Sequence, residues 1–402
     1  MSLPKPNPAR HAPAESPKDD LRSRLIELML VCLKIGATSF GSPTAHIAMM
    51  ENEFVRKRHW LSEEHFLDLL GAANIIPGPN ASETCFHVGY IRAGYPGLFV
   101  AGFSFITPAI VTSILLAWAY VRFGGLPSFE GVFYFLNPLV LAIVLDSTWR
   151  IGKGSLAGWK ALLIFGLALL AKYFNVNEII ILLGSGVVGI LLYGGFNLKK
   201  LPSQMLYAFI PLPLFSRLLQ EAVSWWQTRT AQIFFYFLRT GSVLFGSSFV
   251  LFGLIEKDVT QRFGWLTVQQ LTDSIAAGQI TPGPVISSST FIGYLAGGVP
   301  GSLAATAGVF LPSFIIVAAT APIVNKLRES ALARGFLNGV NAAVVALILA
   351  VAYTLAINSI VDIWTGVLLV AGVFLLSRFD LTPYWLVLAG LALGFIKIFL
   401  IA

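Results

Sequence analysis

Long apolar runs separated by short polar segments divide this chain into two series of predicted helices. Several of these runs approach or reach the roughly 20 residues that a helix needs to cross a bilayer. In the first half, hydropathy predicts membrane elements at residues 24–50, 64–91, 97–122, 131–149, 157–173 and 177–194. The second half repeats this order at residues 231–255, 268–296, 300–326, 335–356, 359–377 and 383–402. The pattern is typical of an all-α polytopic membrane protein.

The composition agrees with a membrane location and excludes a soluble protein. The chain has 402 residues, of which 56% are hydrophobic and only 12% are charged, and its mean hydropathy is +0.77. Soluble globular proteins carry roughly 25% charged residues, so this chain has too little polar surface to dissolve. Its net charge of +7 fits the excess of Lys and Arg in the cytoplasmic loops of membrane proteins. An anion-attracting vestibule is a second interpretation of that charge.

A series of short motifs occurs twice in the chain. The first copy reads Phe40-Gly41-Ser42, Glu51, Trp60-Leu61-Ser62, Asp68 and Pro77-Gly78-Pro79. The second copy reads, with the same spacing, Phe245-Gly246-Ser247, Glu256, Trp265-Leu266-Thr267, Asp273 and Pro282-Gly283-Pro284. Chance does not align so many motifs in one register. The chain is therefore predicted to contain two homologous repeats of about six helical elements each, with a site at their interface.

The repeats set the predicted domain boundaries. We expect a first transporter repeat over residues 24–195, a linker over residues 196–230 and a second repeat over residues 231–402. An interfacial helix is expected in the linker at Leu214–Trp226, since its tryptophans suit the headgroup level. Residues 1–23 are polar and rich in proline, which predicts a disordered cytoplasmic tail. The positive residues of the second-half loops favour a placement opposite to that of the matching first-half loops, which indicates inverted repeats.

The first two elements of each repeat are predicted to be broken helices. Gly41 and Gly246 follow the first helical run of each repeat, and Pro77-Gly78-Pro79 and Pro282-Gly283-Pro284 interrupt the second. Proline removes a backbone donor and glycine loosens the chain, so two prolines around a glycine force a break. Breaks at membrane depth are tolerated only where protein or a watery cavity satisfies the freed backbone groups. Matching breaks in two repeats are therefore candidate substrate-binding positions.

Polar side chains near these breaks are candidate ligands of an anion. The helix that starts after each second proline presents free N–H groups and a positive dipole end. Hydroxyl groups follow at once, at Ser82, Ser287 and Ser288, and amides stand at Asn74 and Gln279. Together they could replace the hydration shell of a small tetrahedral oxyanion. Packing of the hydroxyls between helices and support of the broken backbone by the amides are the alternatives.

A matched pair of cations lies in the first element of each repeat. Lys34 and Arg239 each stand two residues before a shared glycine. A cation inside an apolar run is costly and usually marks a transport pathway or a paired site. The two side chains could converge on a dianion, or Lys34 could extend to the membrane surface from the start of its helix.

Acidic side chains are the candidates for proton coupling. Glu51 and Glu256 are duplicated, whereas Glu83 and Asp146 occur in the first repeat alone. A buried carboxyl group whose pKa is raised by burial takes up and releases a proton near neutral pH. For Glu51 and Glu256 the alternative is a loop ion pair, with Arg58 or Lys257 as the partner.

Motifs of nucleotide-driven or catalytic proteins are absent from the sequence. It contains no Walker loop, no His-Glu-x-x-His, no Gly-x-Ser-x-Gly and no Cys-x-x-Cys. We therefore predict a protein that is not an enzyme and has no cofactor, no metal site and no nucleic-acid partner. The expected partners are a small inorganic oxyanion and the lipid bilayer, and a homodimer is left open.

The repeated motifs resemble those of the chromate ion transporter family in its long-chain, two-domain form. In the first repeat the resemblance rests on residues 40–46, on Arg58-His59-Trp60-Leu61-Ser62 and on Pro77-Gly78-Pro79. In the second it rests on Gly246, Trp265 and residues 278–284. Together with the hydropathy, it covers nearly the whole chain after residue 24. The chain differs from the family pattern at Ser42, Ser247 and Ser248, where further glycines are usual, and at Asn74, where glutamine is usual.

The resemblance implies a plasma-membrane protein that exports chromate, driven by the membrane potential or the proton gradient. Members of the family also interact with sulfate, a dianion of the same shape. A sulfate transporter and an anion channel with the same site are therefore the alternative functions.

Overall fold

The computed structural model describes residues 20–39, 43–73, 78–123, 127–193, 228–245, 250–323, 331–379, 381 and 383–401, and its regular secondary structure there is helical. Residues 1–19 of the predicted tail and residues 196–227 of the predicted linker, with its helix at Leu214–Trp226, lie outside these ranges.

Fourteen α-helices lie within the described residues, seven in each half of the chain. The first half contains α1 (Leu21–Thr38), α2 (Pro43–Met50), α3 (Glu63–Ala73), α4 (Asn80–Phe123), α5 (Pro127–Ser155), α6 (Trp159–Tyr173) and α7 (Glu178–Tyr193). The second contains α8 (Arg229–Ser242), α9 (Val250–Lys257), α10 (Val268–Ile280), α11 (Ser288–Thr320), α12 (Ala331–Ser359), α13 (Ile363–Phe379) and α14 (Pro383–Ile401). Short π-helical segments, Glu51–Lys57 and Asp258–Arg262, extend α2 and α9.

The predicted helix breaks are confirmed at both Pro-Gly-Pro motifs. In the first repeat α3 ends at Ala73 and α4 begins at Asn80, directly after the second proline. In the second repeat α10 ends at Ile280, and a 3₁₀ turn over Val285–Ser287 leads into α11. The first predicted element of each repeat is also divided in two, into α1 and α2 and into α8 and α9.

The predicted boundary between the second and third elements of each repeat is confirmed, because α4 and α11 are each two helices joined by a sharp bend. Thr290 Oγ1 and Thr306 Oγ1 lie 2.7 Å apart across the bend of α11, so its two helices fold back on each other. In α4 the bend lies at Ala93 and at Gly94, whose φ is +64°. In α11 it lies at Gly297 and Gly298, with a φ of +64° at the second glycine. A positive φ of this size suits glycine, and a proline two residues further on prevents a straight helix.

Matched arginines complete the hydrogen bonds at these bends. Arg24 donates from Nη1 to the carbonyl of Arg92 at 3.3 Å, and Arg229 donates from Nε to the carbonyl of Ala296 at 3.1 Å. Both acceptors lie just before the bend, where a helix leaves carbonyl groups without a partner. The two repeats therefore share this detail as well as their helix order.

Small residues bring the helices of each repeat into backbone contact. A Cβ atom at Gly36 would overlap the carbonyl of Phe105, which places α1 directly on α4. Gly241 has the same relation to Val309, which places α8 on α11. Such close approach through small residues is characteristic of helix packing in membranes. It explains the matched glycines that follow Lys34 and Arg239.

The two repeats interlock rather than pack side by side. Helices α6 and α7 of the first repeat pack on α12 of the second, and α13 and α14 of the second pack on α5 of the first. Gly189 on α7 touches Gly339 on α12, and Gly394 on α14 touches Val132 on α5. Helices α4 and α11 also pack on each other, and the largest hydrophobic core includes residues of both repeats.

The outer surface and the helix lengths fit a bilayer. Four helical segments are long and apolar enough to cross a membrane, at residues 80–123, 131–155, 285–320 and 332–359. Shorter apolar helices lie at residues 178–193, 363–379 and 383–397. Large apolar side chains such as Phe103, Leu115 and Val370 are more than half exposed, which suits contact with lipid. The chain is a multi-pass membrane protein, and the inverted orientation of its repeats stays a prediction.

Candidate functional site

Each Pro-Gly-Pro break lies against the long helix of the other repeat. Gly78 has a φ of +149°, and a Cβ atom there would overlap Ser313 Oγ on α11 as well as Glu83 Oε1. Gly283 has a φ of +92°, and a Cβ atom there would lie 2.9 Å from the Cβ of Ala109 on α4. Ala109 and Ser313 both follow the proline that the two helices share. The two breaks are therefore buried at matching places of one interface between the repeats.

A backbone hydrogen bond joins the breaks of the two repeats directly. The N–H group of Gly283 donates to the carbonyl of Ser39 at 2.8 Å. Ser39 follows the last residue of α1 and immediately precedes Phe40-Gly41-Ser42. The second-repeat break thus contacts the first-repeat segment that the sequence also predicts to be broken.

The helices that follow the breaks begin as the sequence predicts. The N–H groups of Ser82 and Glu83 donate to the carbonyl of Pro79 at 2.8 and 3.1 Å, and that of Ser287 donates to Pro284 at 2.9 Å. These bonds form the first turn of each helix. The N–H groups that precede them lie at the break itself, at the positive end of the helix.

Several buried polar side chains around the breaks have atoms without a hydrogen-bond partner in the described part of the chain. They are Ser82, Glu83, His87, Ser113, Gln279, Ser289 and Ser313. Each is at most 1% exposed. Folded proteins leave few buried polar atoms unpaired, because each one costs free energy. These atoms are therefore available to a polar ligand, in a conformation in which protein covers them on all sides.

Comparison with known proteins assigns the family. A family model described as "Chromate transporter" matches residues 26–190 and, a second time, residues 231–395. The chain belongs to the chromate transporter family. The double match also confirms the two homologous repeats that the paired motifs predict.

Relatives of this family match along most of the chain. A "Chromate transport protein" of Cupriavidus metallidurans is 31% identical over 371 residues, which are 92% of each chain. A "Probable chromate transport protein" of Synechococcus elongatus is 30% identical over 378 residues, 92% of this chain and 94% of its own. An "Uncharacterized transporter YwrA" of Bacillus subtilis is 31% identical over 166 residues, 40% of this chain and 90% of its own. No solved structure matches the chain significantly.

The matched cations of this transporter are held by acidic residues of their own repeats. Lys34 Nζ lies 3.0 Å from Glu53 Oε1, and Arg239 Nη1 lies 3.6 Å from Asp258 Oδ2. The Lys34 side chain is 54% exposed, whereas that of Arg239 is 7% exposed. Their positive charges are therefore compensated within each repeat, and their convergence on one dianion stays a prediction.

The other predicted ligands differ in whether their polar atoms already have hydrogen-bond partners. Gln279 has both its amide oxygen and its amide nitrogen without a partner in the described residues. Ser287 Oγ lies within 3.2 Å of Thr281 Oγ1, and Ser288 Oγ donates to the carbonyl of Val285 at 2.9 Å. Ser82 and Gln279 are thus the more available pair. Predicted ligands outside the described residues are Gly41, Asn74, Pro77 and Gly246.

Of the predicted proton-coupling acids, Glu83 alone is buried without a partner in the described chain. Asp146 pairs with Arg150 on the same helix, at 2.8 Å. Glu51 forms the ion pair that we expected as the alternative, but with Arg56 at 2.7 Å rather than with Arg58.

Glu256 differs from these three acids, because it lines an open cavity. The cavity has a volume of about 400 Å³ and lies between the repeats, where Lys172 of α6 and Lys257 also line it.

The two acids of the Lys34 and Arg239 ion pairs escaped the sequence interpretation, although a signal was present. Glu53 and Asp258 have the same spacing from Lys34 and Arg239 in the two copies, as expected for matched ion pairs. Burial alone would raise the pKa of Glu53, but hydrogen bonds from Lys34, Lys57 and Arg58 hold that pKa at about 2, well below the usual 4.5.

A polar network between the repeats was also missed. The buried carboxylate of Asp273 on α10 accepts hydrogen bonds from Tyr120 at 2.8 Å, Asn137 at 2.9 Å and Gln269 at 2.9 Å. Tyr120 and Asn137 belong to the first repeat, so this network fixes the second-repeat helix α10 on α4 and α5. The sequence marks Asp273 as duplicated but does not identify its partners.

Proposed function

We propose that this chain is a secondary active transporter that exports chromate across the plasma membrane, driven by the membrane potential or the proton gradient. The family to which it belongs supports the substrate. The observation that carries the proposal is the pair of matching helix breaks at the repeat interface, surrounded by buried polar atoms without partners.

In this proposal, the oxyanion binds between the breaks. Its negative charge faces the positive ends of α4 and of the turn that leads into α11, and hydroxyl and amide groups such as those of Ser82 and Gln279 replace its water. Because protein covers these groups, the repeats must move relative to each other to open the site to one side and then to the other. Such movement is how transporters with internal repeats give alternating access.

Expression in a chromate-sensitive host tests the proposal. Cells that carry the chain should accumulate less chromate and tolerate more of it than cells that carry the empty vector. Gln279→Leu should abolish the protection at an unchanged protein level, because it removes both free amide groups. The matched control is Gln232→Leu on α8, away from the breaks. Equal accumulation with the chain and with the empty vector would contradict export.

Sulfate transport and channel activity are the alternatives. Chromate and sulfate have the same shape and charge, so hydroxyl donors alone do not distinguish them. Competition between the two anions in proteoliposomes gives the preference. Accumulation against a gradient that an uncoupler abolishes identifies a transporter, whereas equilibration in both directions without an energy source identifies a channel.

A further inference from the structure

Glu83 on α4 is an acidic side chain without an ion-pair partner among the described residues. It is fully buried, and neither of its oxygens has a hydrogen-bond partner in the described residues. Titratable side chains that are at least nine-tenths buried on α4 and on the helices packed against it are Cys32, His46, Cys85, His87 and Asp273. None of these groups bonds to the Glu83 carboxyl group in the part of the chain that the structure describes.

The position of Glu83 places this carboxyl group within the proposed anion site. Its Oε1 atom lies against Gly78, the glycine of the first break, and beside Ser313 Oγ of the other repeat. Phe314, the next residue of α11, stacks on Phe86 with ring centroids 4.3 Å apart. The carboxyl group therefore lies between the glycine of the first break and a serine hydroxyl of the second repeat.

We infer that Glu83 binds the transported proton, and that the proton and the oxyanion occupy the site together; this inference rests on the proposed transport of an oxyanion. An ionised carboxylate repels a dianion at short range in a poorly polarisable interior. A protonated carboxyl group instead donates its O–H to an oxygen of the anion. Protonation and anion binding thus favour each other, and this coupling is reciprocal.

Joint occupancy fixes the direction in which the proton moves. A proton that binds with the anion is carried across with it, so the two cross the membrane in the same direction. The loaded site carries a dianion and one added proton, which leaves one negative charge to move. An exporter of this kind is driven by a membrane potential that is negative inside, and it works against an inward proton gradient.

Proton uptake on binding tests this inference with the purified full chain and chromate as the probe. Measurements start at alkaline pH, where chromate itself is fully dianionic. Where the Glu83 carboxyl group is ionised before binding, we expect nearly one proton to be taken up from a weakly buffered solution for each chromate bound. Above the pKa of Glu83 in the free transporter, affinity should fall about tenfold for each pH unit.

Variants separate this inference from the proposed function. Glu83→Gln, which keeps the shape and a hydrogen-bond donor, should bind chromate with an affinity that is independent of pH and without proton uptake. Glu64→Gln on the exposed face of α3 is the matched control and should behave as the wild type. Chromate binding without proton uptake by the wild type over the whole alkaline range, proton release, or unchanged uptake in Glu83→Gln would overturn the inference. No chromate binding by the wild type at any pH would instead overturn the proposed function.

Discussion

The two repeats keep the same ion pair but expose its cation to different extents. In the first repeat, Glu53 binds Lys34 and Lys57 at 3.0 Å each and also Arg58, and both lysines are more than half exposed. In the second repeat, Asp258 lies 3.6 Å from the buried Arg239. The duplicated backbone thus keeps the pair, while its cation is buried in the second repeat alone.

The same contrast appears at two further matched positions. Four residues after the last proline of each break, the first repeat has the unpaired Glu83 and the second has Ser288. The duplicated acid of the third helix is half-buried at Asp68 but only 3% exposed at Asp273, where first-repeat side chains bind it. Since the backbones match and the buried charges do not, the two repeats should contribute unequally to a transport cycle.

Substitution of the break glycines should give the largest effects. Gly78→Ala and Gly283→Ala each place a Cβ atom on a residue with positive φ, which costs roughly 1–2 kcal/mol per residue, and each also creates a contact with the other repeat. We expect chromate uptake by proteoliposomes to fall about tenfold or more. The loss should be larger for Gly78→Ala, because its new Cβ atom would overlap two polar groups.

A double variant tests the contact between Gly283 and Ala109 directly. Ala109→Gly combined with Gly283→Ala removes the atom that the new Cβ meets, so part of the uptake should return. Gly166→Ala, on an exposed face of α6 where no atom of the described residues lies within 4 Å, should behave as the wild type. Full uptake by Gly283→Ala alone would mean that the break is not part of the site.

Substitution of the two matched cations should lower stability by different amounts, because Arg239 is buried and Lys34 is exposed. Arg239→Ala leaves Asp258 partly buried with Arg262 at 3.7 Å, and we expect a loss of about 3 kcal/mol of stability. Lys34→Ala should cost less than about 1 kcal/mol, because Glu53 keeps its other cations. Thermal unfolding in detergent measures both losses. Transport per folded molecule is then compared, and a loss confined to Arg239→Ala would assign that residue a direct part in transport.

The duplicated acids should differ in the same way. Asp273→Asn replaces an acceptor of three hydrogen bonds by an amide whose NH₂ group faces donors, which should cost about 2 kcal/mol. Asp68→Asn should cost clearly less, since that side chain is half-buried. Tyr120→Phe removes one donor from the same network and serves as a milder variant. Equal melting temperatures for the two Asp→Asn variants would show that the network does not hold α10 in place.

Acid pH should lower the stability of the first repeat as the pH falls from 4.5 towards 2. The pKa of Glu53 lies at about 2 in the folded chain and is 4.5 for an ordinary glutamate, so its contribution to stability is present above pH 4.5 and is lost as the pH falls towards 2. We expect the melting temperature of Glu53→Gln to be several degrees below that of the wild type at neutral pH. The difference should shrink across this window, and a constant difference would contradict the ion-pair origin.

Local chemistry explains which parts of the fold the sequence predicts well. The end of α3 at Ala73 and the start of α4 at Asn80 follow from a proline–glycine–proline run, whose effect does not depend on the rest of the chain. The sharp bend at Gly94 falls between two predicted elements, residues 64–91 and 97–122, because Pro96 stops the helical pattern there.

Contacts between distant elements explain what the sequence does not predict. Lys34 meets Glu53 only because the chain reverses between α1 and α2, and Asp273 meets Asn137 only across the two repeats. Hydropathy also does not tell a helix face that touches lipid from one that touches protein, since both are apolar. The hydropathy pattern therefore did not predict that α6 and α7 pack on α12.

That interlocked packing has a consequence for biosynthesis. When the ribosome has completed α7, the faces of α5, α6 and α7 that belong against α12, α13 and α14 have nothing to cover them, because those helices have not yet been made. The first half therefore cannot complete its tertiary packing in the bilayer until the last helices of the chain are inserted. A nascent chain halted after residue 193 should accordingly be far more sensitive to membrane proteases than the released full-length product.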